Sequence, residues 1–446
     1  MLKTINHAYL IIAIVLYLAL VEKYSIKYGV ISTIHIFTAL SYYSILQLNY
    51  KMNKGFYKRT NLTIEIFLYT LFFITFNNII SYSYDKDFFV FNKADTLFYH
   101  QHVLEMLHMK FSQAIDYYLS YMGTDDLGMI LILYPLYHIA ESNLILNFLY
   151  LFTGIISSLS IFSIGKNFMS RKYAFLSALS YSISSFVIYF HSIGLKESFM
   201  IMLVILSFDF YYRFIKNKNF INLIISFAFI ASLLLFRPAI AAMIIVAIGL
   251  GSLLSKKGGI GIKFLSFLII LFLISMAGSI LAIIERYSAG GFEMLIYARE
   301  SQGMIISSLS FTYTVNILAQ IIGPLPTLIS AEKISLTFFG SGLIYRVLLA
   351  FPFWLGIRYI FKTKSYKIYP LVIFVLIEMM ALALLLEGLE LRKALPHIPI
   401  VFIIAFWFLD KYDNKIIVFK RSKRFKLFFR FSIFLLAMII LFWNFR

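Results

Sequence analysis

Apolar residues recur along the chain in windows of about twenty, separated by short polar segments. As a helix, a window of that length crosses the ~30 Å hydrocarbon core of a bilayer. The windows predict about thirteen spans, near 8–21, 29–46, 62–82, 144–165, 173–190, 197–212, 220–236, 239–254, 263–284, 341–357, 367–386, 394–410 and 427–445. Segments 127–140 and 304–328 contain prolines and predict interfacial or re-entrant helices. The pattern therefore predicts an all-α polytopic membrane protein, with one integral membrane domain over 1–446.

The polar segments between these windows differ in charge. Six of them hold 24 of the 40 basic residues and only two acids: 47–61, 166–172, 213–219, 256–263, 358–367 and 410–426. The alternate segments lack this excess, and 83–126 carries seven acids against three lysines. Lys and Arg accumulate in cytoplasmic loops. The charge pattern therefore predicts a cytoplasmic N-terminus and two large extracytoplasmic loops, 83–126 and 285–340.

Composition excludes several classes of protein. Hydrophobic residues make up 61% of the chain and charged residues 14%, so a soluble domain would lack the polar surface to cover itself. The net charge of +19 lies mostly in the loops that orient the helices, so membrane lipid is an expected partner and nucleic acid is not. Cysteine is absent, which excludes disulfides, thiolate nucleophiles and Cys-based metal sites.

The first outer loop contains side chains suited to chemistry. Its candidates are Asp85, Asp87, Asp95, His102, Glu105 and His108. The last four recur at roughly helical spacing and predict one face of an amphipathic helix on the membrane surface. Carboxylates and imidazoles supply general bases and ligands for a divalent cation. A solvated polar face is an equally good interpretation of this pattern.

Further charges lie at the outer ends of predicted spans, where burial in lipid is costly. They are Lys196, Glu197, Arg237, Glu390, Arg392 and His397, and Arg299 lies in the second outer loop. Arginine presents a planar fork that suits phosphate oxygens, although Arg299 would pair equally well with a neighbouring glutamate. Glu378 and Asp209 lie within spans and predict packing contacts or buried pairs. Acidic and basic residues are thus predicted on one membrane surface, as expected for an anionic lipid-linked substrate.

Several of these segments resemble glycosyltransferases of the C type, the GT-C superfamily. The matching segments are Lys93-Ala94-Asp95 with Tyr99, Leu133 to Tyr137, Gly165 to Phe168, His191 to Glu197, Arg237-Pro238 and Glu390 to Pro399. They cover about half of the chain. The chain is also similar to the repeat-unit polymerases of O-antigen and capsule assembly, which have many spans and two large outer loops. Two extra predicted spans before the acidic loop depart from the typical C-type pattern and favour a polymerase.

The resemblance implies a GT-C-like fold and transfer of a polyprenyl-(pyro)phosphate-linked sugar on the outer face of a bacterial inner membrane. Asp95, with Asp85 or Asp87 as rivals, would deprotonate the acceptor hydroxyl. The residues that would stabilise the departing phosphate are Lys196, Arg237, Arg299 and Arg392. No cofactor is certain, and a divalent cation is permitted but not required. The implied partners are a polyprenyl-linked oligosaccharide, membrane lipid and, for a polymerase, a chain-length regulator.

Two other functions are compatible with the sequence. A related transferase would move a single sugar to a lipid or a protein. A flippase or transporter of lipid-linked oligosaccharides would instead place charges in a central cavity along several spans, often with internal repeats. The charges here gather at one face and no repeat is visible, so the sequence favours a transferase.

Overall fold

The computed structural model describes residues 1–24, 29–91, 93, 95–122, 126–254, 300, 308–323, 325, 335–388, 390–414 and 423–445. Within these ranges every regular element is a helix, apart from turns and bends. The helices before residue 255 are α1 (Leu2–Tyr24), α2 (Gly29–Lys51), α3 (Arg59–Asp85), α4 (Asp95–Met106), α5 (Phe111–Met122), α6 (Leu127–Tyr137), α7 (Asn143–Gly165), α8 (Arg171–Ser182), α9 (Ser185–Ser192), α10 (Glu197–Asn217), α11 (Phe220–Leu233) and α12 (Pro238–Leu253). The prediction of an all-α protein is confirmed for the described residues.

The later helices follow the long segment 255–299, which lies outside the described residues. They are α13 (Leu309–Ile322), α14 (Ser335–Leu348), α15 (Ala350–Lys362), α16 (Tyr369–Leu384), α17 (Leu391–Ala394), α18 (Ile398–Asp413) and α19 (Lys423–Phe445). Short 3₁₀ turns at Lys54–Phe56 and Tyr366–Ile368 precede α3 and α16.

Seven stretches among the described helices are long and apolar enough to cross a membrane. They are Leu2–Ala19, Arg59–Asp85, Asn143–Gly165, Glu197–Asn217, Gly340–Lys362, Tyr366–Leu384 and Phe425–Phe445. The chain is therefore a multi-pass helical membrane protein. Predicted spans 220–236, 239–254 and 394–410 fall on helices of 14 to 16 residues. The predicted span 263–284 lies outside the described residues, so the number thirteen stays a prediction.

The predicted span 173–190 consists of two helices rather than one. The axes of α8 and α9 meet at 53°, with the break at Ile183 and Ser184. The Ser185 hydroxyl accepts a hydrogen bond from the backbone N–H of Gly342 on α14 at 2.8 Å. Only a glycine fits there, because a β-carbon on Gly342 would lie 2.3 Å from the Ser184 hydroxyl oxygen. The bend thus accommodates the close approach of α14, and together the two helices remain long enough for one span.

The two apolar segments with prolines form short helices. In α6, eleven residues rise only about 16 Å, roughly half of a hydrocarbon core. The 14 residues of α13 rise about 21 Å and end at Gly323, which has a φ of +102°. Both lengths agree with interfacial or re-entrant helices, as the prolines predict.

The central helix α7 separates the two ends of the bundle by about 34 Å. At its start, the Asn143 amide donates to the carbonyl of Phe88, just after α3. Its last turn lies against α8, near the basic segment 166–172. There the ammonium groups of Lys3 and Lys172 lie 5.7 and 4.3 Å from the centroid of the Tyr50 ring. Segments assigned to one face by their charge therefore meet at one end of the bundle.

Candidate functional site

At the other end, Asp95 and Arg392 form an ion pair between residues far apart in the chain. Asp95 is the first residue of α4, and Arg392 lies on the single turn α17 between two longer helices. Their side chains are 41% and 38% exposed, so both remain accessible. Burial disfavours the charge of Arg392, but the carboxylates of Asp95, Glu197 and Glu390 outweigh it and raise the pKa of the guanidinium. The candidate base and a candidate phosphate ligand are thus in direct contact.

A second cation lies beside this pair. The Lys393 ammonium is 2.5 Å from a carboxylate oxygen of Glu387 and 3.4 Å from one of Glu390. Glu390 also lies 3.6 Å from Nε of Arg392, so it joins the two cations. Two carboxylates, Glu387 and Glu390, and two cations, Arg392 and Lys393, therefore lie beside Asp95.

Asp126 connects the first outer loop to the start of α10. Its carboxylate binds the Lys196 ammonium and accepts a hydrogen bond from the Tyr99 hydroxyl at 2.7 Å. Burial raises the pKa of Tyr99, and the adjacent Asp126 carboxylate raises it further. Tyr99 therefore stays neutral and donates its hydrogen bond to Asp126. The ion pair between Lys196 and Asp126 is largely buried. Asp126 was absent from the candidates predicted from sequence, although its position directly before the apolar segment 127–140 marks it as a membrane-edge charge.

The turn before α10 positions Lys196 and Glu197. The Thr96 hydroxyl donates to the carbonyl of Ile193 at 2.7 Å, which ties this turn to α4. Gly194 has a φ of +75°, a left-handed conformation that favours glycine. A β-carbon there would lie 2.9 Å from the Asn143 amide oxygen. The compact turn therefore depends on this glycine.

Glu197 is the buried centre of the cluster. It is the first residue of α10, and its side chain is almost fully buried. The positive charges of Arg237, Lys196 and Arg392 act on its carboxylate. Among the described residues its Oε2 atom accepts no hydrogen bond. Arg237 directly precedes Pro238 at the start of α12, and the proline begins that helix without needing a backbone donor. The helix α10 start adds partial positive charge, so Glu197 is a carboxylate surrounded by positive charge.

Beneath this cluster, the structure pairs His397 with Glu378. Nδ1 of His397 lies 3.5 Å from a carboxylate oxygen of Glu378, and both side chains are buried. Neither oxygen of Glu378 accepts a hydrogen bond among the described residues. Arg237 acts electrostatically on Glu378 as well as on Glu197.

The rival carboxylates Asp85 and Asp87 stabilise a local turn instead. Lys93 bridges them, with its ammonium 3.2 and 3.0 Å from their oxygens. Hydrogen bonds to Asp87 and Asp85 raise the pKa of Lys93. Asp87 also accepts hydrogen bonds from the Phe89 backbone at 3.0 Å and the Ser81 hydroxyl at 3.2 Å. These contacts engage both carboxylates in the loop itself, which leaves Asp95 as the better placed of the three.

The predicted amphipathic face on 95–108 is shorter than expected. His102 and Glu105 lie on α4, with 3.4 Å between Nδ1 and the carboxylate, but α4 ends at Met106 and His108 lies beyond it, exposed. The prediction that His108 shares the helical face was wrong. The side chain of Gln113 accepts a hydrogen bond from the Lys110 backbone N–H, which starts α5 at the next residue.

Two predictions from the sequence remain, a phosphate-binding role for Arg299 and a site that permits a divalent cation. Arg299 lies outside the described residues. No group of three His, Asp or Glu side chains that would hold a metal ion occurs in the part of the chain that the structure describes. The described cluster can pair an exposed carboxylate with several fixed cations next to an apolar bundle, an arrangement that suits anionic substrates. The sequence matches no protein-family model, no curated protein and no solved structure.

Proposed function

We propose that the protein is a membrane glycosyltransferase that uses polyprenyl-(pyro)phosphate-linked sugars on the extracytoplasmic face of a bacterial inner membrane. The observation that carries the proposal is the contact of Asp95 with Arg392, two residues separated by 297 positions. A carboxylate and a guanidinium that are both accessible and adjacent supply a base and a phosphate ligand to one reacting centre. The surrounding Lys196, Glu197 and Arg237 add fixed charge beneath them.

In this function the Asp95–Arg392 pair is the resting state of the site. The phosphate oxygens of the donor compete with the Asp95 carboxylate for the guanidinium fork, so donor binding frees that carboxylate. Asp95 then takes the proton of the acceptor hydroxyl as its oxygen forms a bond to the anomeric carbon. The bond from that carbon to the phosphate oxygen breaks, and Arg392, Lys196 and Arg237 stabilise the charge on the leaving phosphate.

Polymerisation of O-antigen or capsular repeat units is the preferred form of this reaction. The outer cluster lies at one end of a long apolar bundle, which would hold the polyprenyl tail in the membrane while the oligosaccharide stays outside. Transfer of one sugar to a lipid or a protein uses the same chemistry and differs only in the acceptor. A polymerase would have a chain-length regulator as a further partner, and the basic end of the bundle, with the N-terminus, would face the cytoplasm.

Complementation of a deletion strain tests the proposal. Asp95→Ala, Arg237→Ala and Arg392→Ala should abolish the polysaccharide ladder on a gel while single repeat units still reach the surface. Asp116→Asn is the matched control, because Asp116 is an exposed acid on the same outer segment, on α5. Wild-type ladders from well-expressed Asp95 and Arg392 variants would refute this site.

A second candidate function is transport of a lipid-linked oligosaccharide. The observation that favours it is the buried Glu378–His397 pair, since ionisable groups among transmembrane helices often mark transport pathways. A transporter predicts that the deletion strain exports no repeat units at all. The same strain therefore distinguishes the two functions before any variant is made.

A further inference from the structure

Arg346 is a charged residue enclosed within a membrane span. It lies on α14, seven residues into the span Gly340–Lys362, and is 1% exposed. The neighbouring residues fix this part of the helix in the bundle. Gly342 is bonded to Ser185, and the Tyr345 hydroxyl donates to the Asn6 amide oxygen at 3.2 Å. The guanidinium is therefore enclosed within the bundle.

Within the described residues, the Arg346 guanidinium lacks a charged partner such as Arg213 and Arg392 have. Its Nε and Nη1 atoms make no hydrogen bond, and no carboxylate of the described residues lies within ion-pair distance. By contrast, Arg213 lies 2.6 Å from the buried Asp209, and Arg392 is paired with Asp95. Burying a cation without a counter-charge is strongly unfavourable. Among the described residues, no anion neutralises this charge.

The end of α13 lies beside Arg346. A β-carbon on Gly323 would lie 3.4 Å from Nη1 and 3.5 Å from Cζ, so the backbone at the end of α13 lies directly beside the guanidinium. The Trp354 indole donates to the carbonyl of Ile321 at 2.7 Å and fixes the last turn of α13 next to α15. On another side, the Phe353 ring centroid lies 6.0 Å from Cζ. Carbonyls at a helix end carry only partial negative charge, so they do not replace a full anion.

We propose that Arg346 binds the phosphate of a lipid that enters the bundle from the membrane. A guanidinium fork matches phosphate oxygens, and in an apolar surrounding a lipid is the source from which a phosphate arrives with its own hydrophobic tail. This site is distinct from the Asp95–Arg392 pair at the outer end and does not depend on sugar transfer. The lipid is either a polyprenyl phosphate or a phospholipid, which share this chemistry.

The experiment compares the full-length wild type with Arg346→Met and Arg346→Lys, purified in mild detergent. Extracted lipid phosphorus per chain should fall to background in Arg346→Met and remain in part in Arg346→Lys. Loss of a hydrogen-bonded charge pair weakens binding roughly 10- to 100-fold. Arg358→Met is the matched control, because Arg358 is exposed on the same span, and this variant should retain the lipid.

Thermal unfolding supplies the second measurement. Added undecaprenyl phosphate or phosphatidylglycerol should raise the melting temperature of wild type and not that of Arg346→Met, because a ligand stabilises only the state that binds it. The stronger protector of the two identifies the lipid source. Equal phosphorus in wild type and Arg346→Met, or equal protection of wild type by inorganic phosphate, would overturn a lipid site. If Arg346→Met does not fold, a wild type that lipids fail to protect overturns it equally.

Discussion

Removal of the Lys196–Asp126 ion pair is the sharpest test of how the outer cluster is held together. The pair joins the start of α6 to the turn before α10, and Tyr99 on α4 completes it through its bond to Asp126. We therefore expect Lys196→Met and Asp126→Asn to loosen the contact between the first outer loop and the bundle. Each variant leaves one charged side chain without its partner.

The expected loss of unfolding free energy follows from the burial of the pair. The side chains of Lys196 and Asp126 are only 8% and 18% exposed. Removing one member of a buried pair costs about 3 kcal/mol, because the other charge stays desolvated. The double variant leaves no isolated charge, so its loss should be smaller than the sum of the single losses. The expected coupling energy is about 2 kcal/mol, within the range found for residues in contact.

A double-mutant cycle measures this coupling through unfolding free energies in detergent or lipid discs. Glu105→Gln serves as the control, because that exposed carboxylate should change stability by less than about 0.5 kcal/mol. Additive losses, with a coupling energy below about 0.5 kcal/mol, would refute a direct buried pair.

Two further predictions concern the same outer end. Burial lowers the pKa of His100 from its ordinary 6.5, and its Nδ1 lies 2.7 Å from the Tyr137 hydroxyl. The unfolded chain therefore takes up this proton more readily, so the His100 contribution to stability is complete above pH 6.5 and is lost as the pH falls below it. Melting temperatures between pH 7.5 and 5.5, about one unit either side of that value, should fall less steeply in His100→Asn than in wild type; parallel curves would contradict this. Gly194→Ala should cost about 1–2 kcal/mol through its left-handed φ, and more through contact with Asn143. The proposed sugar transfer should also slow, because Lys196 moves with this turn. An unchanged melting temperature would contradict a strained backbone at Gly194.

Local sequence patterns predicted the helices better than they predicted which helices contact one another. Long apolar windows identify helices such as α3 and α7, since a span must be apolar over its whole length. The break between α8 and α9 escaped prediction, because it depends on Gly342 approaching Ser185 from another helix. Helical spacing extended α4 too far, because spacing does not report the start of the next helix at Phe111.

Prediction of the candidate site had the same limit: charged residues could be recognised in the sequence, but their partners could not. Charge at span edges led to the prediction of Arg392 and Lys196 as site residues, because such charges are rarely placed in lipid without a partner. The partners themselves, Asp95 and Asp126, lie 297 and 70 positions away, and nothing local encodes those distances. Arg346 was missed because one arginine barely changes the hydropathy of a window.

The most direct test of the proposed function is sugar transfer by the purified protein from a polyprenyl-diphosphate oligosaccharide, followed by mass spectrometry. Asp95→Asn should lower the turnover rate by roughly 10²-fold or more, the contribution typical of a general base, with an unchanged melting temperature. Asp116→Asn should match wild type. Wild-type turnover in Asp95→Asn would contradict a general-base role for Asp95, and no transfer by wild type would contradict a glycosyltransferase.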